Sequence, residues 1–349
     1  MKCNAVAVDL FCGVGGLTHG LQESGIKVIA GLDTDASCKY AFEENNDSRF
    51  IEDDVSNVQG ADLKKLYPKN SIKILVGCAP CQTFSQHTVK NRDREKDERW
   101  GLLYQFLRLI KDSKPDIVSM ENVPQLRYYR VFEDFVQELK KEGYFVNYKL
   151  VNCLRYGIPQ RRIRLVLLAS KKGEIKLVPE THNTKNYVTV KQIIGSLPKI
   201  KDGEVHKDDP IHRSWKLSPM NKKRIRQSKA GGSWMDWDDE LRLNCHKKKS
   251  GGTYKAVYGR MEWNKPSPTI TTQFYSYGTG RFGHPKQNRA ISLREGALLQ
   301  TFPEDYKFFL KEDNIFFSEI GRHIGNAVPV ELGKVIGESI KKHIMECFK

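Results

Sequence analysis

The sequence predicts an α/β protein: a doubly wound, mostly parallel sheet joined to a second, smaller, loop-rich domain. Three observations predict it. Short apolar runs alternate with helical periodicities through the first 170 residues. A glycine-rich turn follows the first such run. From Lys171 the regular texture gives way to polar sequence rich in Gly, Lys and aromatic residues, and regularity resumes near residue 290. At 349 residues, with 39% hydrophobic composition, the chain is long for one domain and has enough apolar sequence for a core. We therefore expect a first domain over 1–170, an inserted domain over 171–289, and a segment 290–349 that returns to the first.

The elements follow in order. Ala5–Leu10 reads as a strand that runs into Phe11-Cys12-Gly13-Val14-Gly15-Gly16-Leu17 and then a helix through Glu23. Strand, glycine turn and helix is the arrangement in which missing side chains let a nucleotide-like ligand approach the backbone. The spacing is not G-x-G-x-x-G, so the turn alone is weak evidence. The next strand, Lys27–Leu32, ends at Asp33, where an acid can hold ribose hydroxyls. Asp54 and Val55 follow a third strand, where an adenine amino group can be read. Ile72–Val76 is a fourth strand, and Leu103, Phe106, Leu107 and Ile110 have helical spacing. Pro115–Met120 is a fifth strand that ends at Glu121-Asn122-Val123-Pro124. Phe132, Phe135, Val136 and Leu139 mark a further amphipathic helix, and Tyr144–Val151 and Arg164–Ala169 are strands. Between those strands lies Gln160-Arg161-Arg162-Ile163-Arg164. Alternate residues of an extended segment face one side, which places Arg162 and Arg164 together. Ile291–Phe302 is helical, and Leu332, Val335, Ile336 and Ile340 share one face of a last helix.

The fourth strand leads into Gly77-Cys78-Ala79-Pro80-Cys81-Gln82-Thr83-Phe84-Ser85. Pro80 excludes helix and makes a rigid turn with Cys81 at its mouth. Ligands of open α/β sheets bind at the carboxyl ends of the strands, so this thiol is a candidate nucleophile. A small buried cysteine, or a redox or metal-binding Cys78/Cys81 pair, competes with that reading. Gln86–Trp100 is dense in charge: a solvated loop, or a lid whose Lys90, Arg92 and Arg94 touch phosphates.

The net charge of +16 makes nucleic acid the leading partner class. Eight cysteines in a chain of this length do not make a disulfide framework, and no run reaches membrane-spanning length. We expect a cytoplasmic protein with free thiols. There is no second C-x-x-C, so no structural metal is expected.

In this order, the pieces resemble the DNA (cytosine-5) methyltransferases. The resemblance rests on Asp9-Leu-Phe-Cys-Gly-Val-Gly-Gly16, Pro80-Cys81-Gln82, Glu121-Asn122-Val123, Gln160-x-Arg162-x-Arg164, Arg294-Glu295 through Gln300-Thr-Phe-Pro303, and Gly325-Asn326-Ala327-Val328-Pro329. It spans nearly everything outside 171–289. It implies a Rossmann-like catalytic domain dependent on S-adenosyl-L-methionine (AdoMet) and a target recognition domain over 171–289. It also implies a cytosine flipped out of double-stranded DNA, and a bacterial restriction–modification role beside a cognate endonuclease that need not touch it. We expect a monomer. Cys81 would be the nucleophile, Glu121 would neutralise the ring at N3, and Arg162 and Arg164 would supply positive charge. The AdoMet site would comprise Phe11, Gly13, Val14, Gly16, Leu17, Asp33, Asp54, Val55, Pro80, Leu103, Asn326 and Val328. Gln82, Ser85 and Arg92 would contact DNA. Within 171–289, Gln273 and Arg281 are the base-reading candidates, since amide and guanidinium groups match base edges. A tRNA-acting cousin is the nearer rival, disfavoured by the large basic 171–289 region. A nicotinamide oxidoreductase is the more distant one, and it leaves Glu121-Asn122-Val123 and the paired arginines unexplained.

Overall fold

A computed structural model describes residues 4–80, 100–248, 252, 254–311 and 315–348. The chain forms two compact units: residues 1–156, 163–180 and 328–349, and residues 157–162 and 181–327.

The first unit is a seven-stranded sheet. Its strands are β1 (Ala5–Leu10), β2 (Lys27–Asp33), β3 (Arg49–Glu52), β4 (Ile72–Gly77), β5 (Ile117–Asn122), β6 (Phe145–Asn152) and β7 (Ile163–Ser170). The order is β3-β2-β1-β4-β5-β7-β6. The first five strands run parallel, and β7 is antiparallel to both neighbours. The apolar runs of β1, β4 and β5 are buried, as strands covered on both faces require. The strand-connecting helices are α1 (Gly16–Glu23), α2 (Lys39–Asn45), α3 (Gly60–Leu66), α4 (Trp100–Ser113) and α5 (Arg130–Lys141). Leu103, Phe106, Leu107 and Ile110 of α4 enter the same core as Phe132, Phe135, Val136 and Leu139 of α5, as their spacing predicts.

The second unit contains α6 (Val190–Ile194), a two-stranded sheet of β8 (Val205–His206) and β9 (Asp209–Arg213), α7 (Pro219–Gln227), α8 (Leu293–Leu299) and α9 (Phe317–Asn326). Most of it is loop. Leu217, Ile225, Trp234, Trp237, Tyr277 and Ala290 form a small core. Charged and amide side chains buried in it tie the loops together. Arg289 makes a bidentate pair with Glu295, both bonds 2.7 Å. Arg260 donates to the carbonyls of Ile225, His284 and Gln287. Gln160 donates to Leu299 O and to Gln300 Oε1, at 2.9 and 2.6 Å.

The last helix, α10 (Val330–Cys347), belongs to the first unit and packs on α1. The two helices are close enough that a Cβ on Gly20 would lie 2.1 Å from the Val330 carbonyl oxygen.

These units depart from the expected partition in three places. The return to the first unit starts at Val328, not near 290, because Arg289–Glu295 and Arg294–Asp209 fasten the intervening stretch to the second unit. Residues 171–180 stay with the first unit, where Val178 N–H donates to Ser339 Oγ. Residues 157–162 join the second, where Arg161 N–H donates to Ser267 O. Helix α8 also stops at Leu299, short of Pro303, because Thr301 takes a left-handed conformation at φ 63°.

Candidate active site

Register explains how the first unit gathers its chemistry. Gly77 of β4 pairs with Met120 of β5, so the next residues, Cys78 and Glu121, are neighbours at the carboxyl ends of parallel strands. On the other side of β5, Glu121 pairs with Val166 of β7. Because β7 is antiparallel, its beginning lies beside the end of β5. Arg164, two residues before Val166, is then the diagonal neighbour of Glu121 on the same face, within reach of a long side chain. The contacts follow. Arg164 Nε lies 2.9 Å from Glu121 Oε1, and the Cys78 thiol donates to Glu121 Oε2 at 2.8 Å. Glu121 is 2% exposed, so a buried carboxylate is held from both sides. Asn122, equally buried, accepts from Val123 N–H and donates to Ala79 O at 3.1 Å, which ties the end of β5 to the turn after β4.

Arg162 goes elsewhere. It precedes β7, is 3% exposed, and belongs to the second unit, where it donates to the carbonyls of Ile270 and Ala327. Arg164 thus meets the carboxylate of Glu121, and the partners of Arg162 include two backbone carbonyls.

The ends of β1 and β2 form the second cluster. Gly13 and Gly15 take positive φ, 50° and 87°, and Phe11 shares that conformation at φ 60°. The turn is thus folded in a way few side chains tolerate. Asp33 Oδ2 accepts from Gly13 N–H at 2.8 Å, and Oδ1 from Asp35 N–H at 3.0 Å. Burial raises the Asp33 carboxyl above its ordinary range despite these bonds. A Cβ built on Gly13 would meet nothing within 4 Å, so the backbone there faces open space. Asp54 is half-buried and accepts from Ser56 N–H at 2.8 Å, which lowers its pKa. Glycine backbone beside open space, a fixed acid after β2 and an accessible acid after β3 fit a cofactor carrying a ribose and an adenine.

The other expected cofactor residues divide by burial. Val14, Leu17, Val55, Leu103 and Val328 are buried, as is the Gly16 that opens α1. Phe11 is half-buried, and Pro80 and Asn326 are exposed, Asn326 at the end of α9 in the second unit. Of the DNA-reading candidates, Gln273 is exposed and Arg281 half-buried, with no hydrogen-bond partner for Arg281 Nε among the described residues. Cys81, Gln82, Ser85 and Arg92 lie outside the described residues.

Two features had no signal as site residues in the sequence. One is Cys78, which the C-x-x-C spacing suggested only as a redox or metal partner of Cys81. The other is Asp9 in β1, 1% exposed, which accepts from Thr18 Oγ1 at 2.7 Å; burial pushes its carboxyl up to about 7. An aspartate inside an apolar strand was the available clue.

A family model for the C-5 cytosine-specific DNA methylases matches residues 6–342. The chain belongs to that family. It is a DNA (cytosine-5) methyltransferase that uses AdoMet. Among curated relatives, the Type II methylase M.HgiDII of Herpetosiphon aurantiacus is 55% identical over 340 residues, covering 97% of this chain and 95% of the relative. The Type II methyltransferase M1.HphI of Haemophilus parahaemolyticus is 29% identical, with coverage of 96% and 86%. The fold also matches the crystal structure of a chain described as a DNA modification methyltransferase encoded within an E. coli prophage, with TM-score 0.72, 20% identity and coverage of 97% and 99%. DNA is thus the substrate, and the tRNA reading is not favoured. Among the described residues, no helix of this methyltransferase is long and apolar enough to cross a membrane.

Proposed function

We propose that this methyltransferase is the modification enzyme of a Type II restriction–modification system, methylating one cytosine within a specific duplex sequence in the cytoplasm as a monomer. The relatives named above support the biological role. An endonuclease of the same system would read the same sequence without touching this protein.

The observation that carries the chemical reading is the buried carboxylate of Glu121, held between Arg164 and Cys78. AdoMet, held by the Gly13 turn, Asp33 and Asp54, supplies an electrophilic methyl group. The carbon to be methylated, C5 of cytosine, is a weak nucleophile. Addition of the Cys81 thiolate to C6 turns C5 into an enamine carbon. Protonated Glu121 donates a hydrogen bond to N3 and offsets the negative charge that addition places on the ring. Arg164 fixes the carboxyl group for that task. Once C5 carries the methyl group, loss of the C5 proton to a base expels Cys81 and restores the aromatic ring. The cytosine must leave the helix for these steps, which costs a few kcal/mol. Gln82, Ser85 and Arg92 hold the DNA backbone in this reading. Arg162 adds positive charge that favours the thiolate, since free cysteine ionises only near pKa ~8.5. The second unit carries sequence recognition, with Gln273 and Arg281 reading base edges.

Glu121→Gln tests the acid role, because the amide keeps the shape and cannot give up a proton to N3. Methyl transfer should fall at least ~100-fold, the usual worth of general-acid help, with AdoMet and DNA binding retained. A loss under about tenfold would make Glu121 only structural.

A further inference from the structure

The contact that the reaction scheme leaves unused is the one from Cys78. Its side chain is only partly buried, yet its sulfur lies 2.8 Å from Glu121 Oε2, on the opposite side of the carboxyl group from Arg164. The position is built by the fold. Cys78 N–H donates to Leu10 O at 3.3 Å, anchoring the residue to the end of β1, and the β4–β5 register sets its side chain against Glu121. One oxygen of this buried carboxylate thus accepts a hydrogen bond from Cys78, while the other lies within ion-pair distance of Arg164 and has no hydrogen-bond partner among the described residues. Among the described residues, the charged or titratable groups in contact with Glu121 are these two, Cys78 from the end of β4 and Arg164 from β7.

We propose that Cys78 is a positioning residue for the methyl-transfer reaction: its thiol holds Glu121 Oε2 and, with Arg164, fixes the plane of the carboxyl group presented to the cytosine ring. The two thiols of the C-x-x-C motif then have separate duties. Cys81 attacks the base, and Cys78 orients the acid. The Arg164 contact at Oε1 is an ion pair without a directional hydrogen bond and leaves the carboxyl free to rotate about its last bond; the Cys78 bond to Oε2 removes that freedom. A thiol suits the place because it donates weakly. It orients the group without placing a second cation beside it. The proposal rests on the acid role of Glu121 given above.

The test compares Cys78→Ala and Cys78→Val, which cannot donate, with Cys78→Ser, which can. Tritiated methyl transfer from AdoMet to unmethylated plasmid DNA is followed across DNA concentrations, to separate kcat from KM. Cys78→Ala should lose roughly tenfold in kcat, the worth of one hydrogen bond to a charged group, with AdoMet affinity and melting temperature near wild type. The KM for DNA should stay near wild type in Cys78→Ala, so that the loss falls on kcat. Cys78→Ser should restore kcat. Should the alanine variant not fold, Cys78→Val is close in volume and makes the same comparison. A non-donating variant whose kcat coincides with wild type overturns the proposal, and so does a serine variant no better than alanine. Glu121→Gln measured alongside separates the two levels. If it is impaired while the Cys78 variants are not, only the proposal fails. If Glu121→Gln is fully active, the acid role fails and the proposal with it.

Discussion

The two units of this methyltransferase reach order by opposite means. In the first, Leu10, Leu75, Val118 and Phe106 pack in an apolar core between a sheet and its helices. In the second, a two-stranded sheet and four short helices are held by side chains that carry charge or amides: Arg289 with Glu295, Arg260 with three backbone carbonyls, Gln160 with Gln300. Apolar packing is tolerant of chemistry and strict about volume. Buried ion pairs and amide networks are the reverse, because each lost partner leaves a desolvated group behind. The first unit should therefore suffer from changes of size, and the second from changes of charge.

The sharpest break in that comparison is Arg289→Met. It strands Glu295, itself 1% exposed, without its guanidinium. The expected cost is about 3–5 kcal/mol in denaturant unfolding, and a second substitution, Glu295→Leu, should recover much of it. If the single variant costs under ~1 kcal/mol, charge does not hold the second unit together. The same pair sets an acid limit. Burial alone would push the Glu295 carboxyl up, but Arg289 holds it down at about 2. A carboxyl depressed in the folded state gives stability that is complete above its unfolded pKa, near 4.3, and lost as pH falls toward 2. Acid titration of unfolding should show this loss in wild type and its absence in the double variant.

Gly20→Ala probes the first unit by volume. With a carbonyl oxygen 2.1 Å from the added carbon, α1 and α10 must separate, at about 1–3 kcal/mol. Thermal melting that leaves the variant at wild-type stability would mean the helices slide freely. The most local effect expected is in the second unit: Gln273→Ala should relax choice at one base position by about 1–3 kcal/mol if the amide reads a base, whereas loss of a phosphate contact weakens all sequences alike. Bisulfite sequencing of methylated random DNA distinguishes the two.

The same difference decides what was legible in the sequence. β1, β2, β4 and β5 were visible because buried parallel strands are continuous apolar runs, and α4, α5 and α10 because their apolar residues recur every three to four positions. Glu121 and Arg164 could be named from motif residues. That they touch depends on β7 running antiparallel beside β5, which no local pattern encodes. That Arg162 belongs to the second unit was not visible, because alternation holds only within a strand, and the strand begins at Ile163. The extent of the second unit was hidden for the same reason: its borders are set by pairs such as Arg294 with Asp209, 85 residues apart in sequence. Cys78 was masked by its own motif, since the spacing to Cys81 suggested a partner in the chain rather than one across the sheet.

The central claim is that Cys81 attacks the base while Glu121, held by Arg164 and Cys78, assists. The most direct measurement uses DNA synthesised with 5-fluorocytosine in place of cytosine. Fluorine cannot leave C5 as a cation, so elimination stalls after methyl transfer and the enzyme stays bonded to the base. Tandem mass spectrometry of the peptide containing both thiols should place the methylated adduct on the Cys81 sulfur, and only when AdoMet is present. An adduct on Cys78, or none while ordinary cytosine DNA is still methylated, would contradict the account.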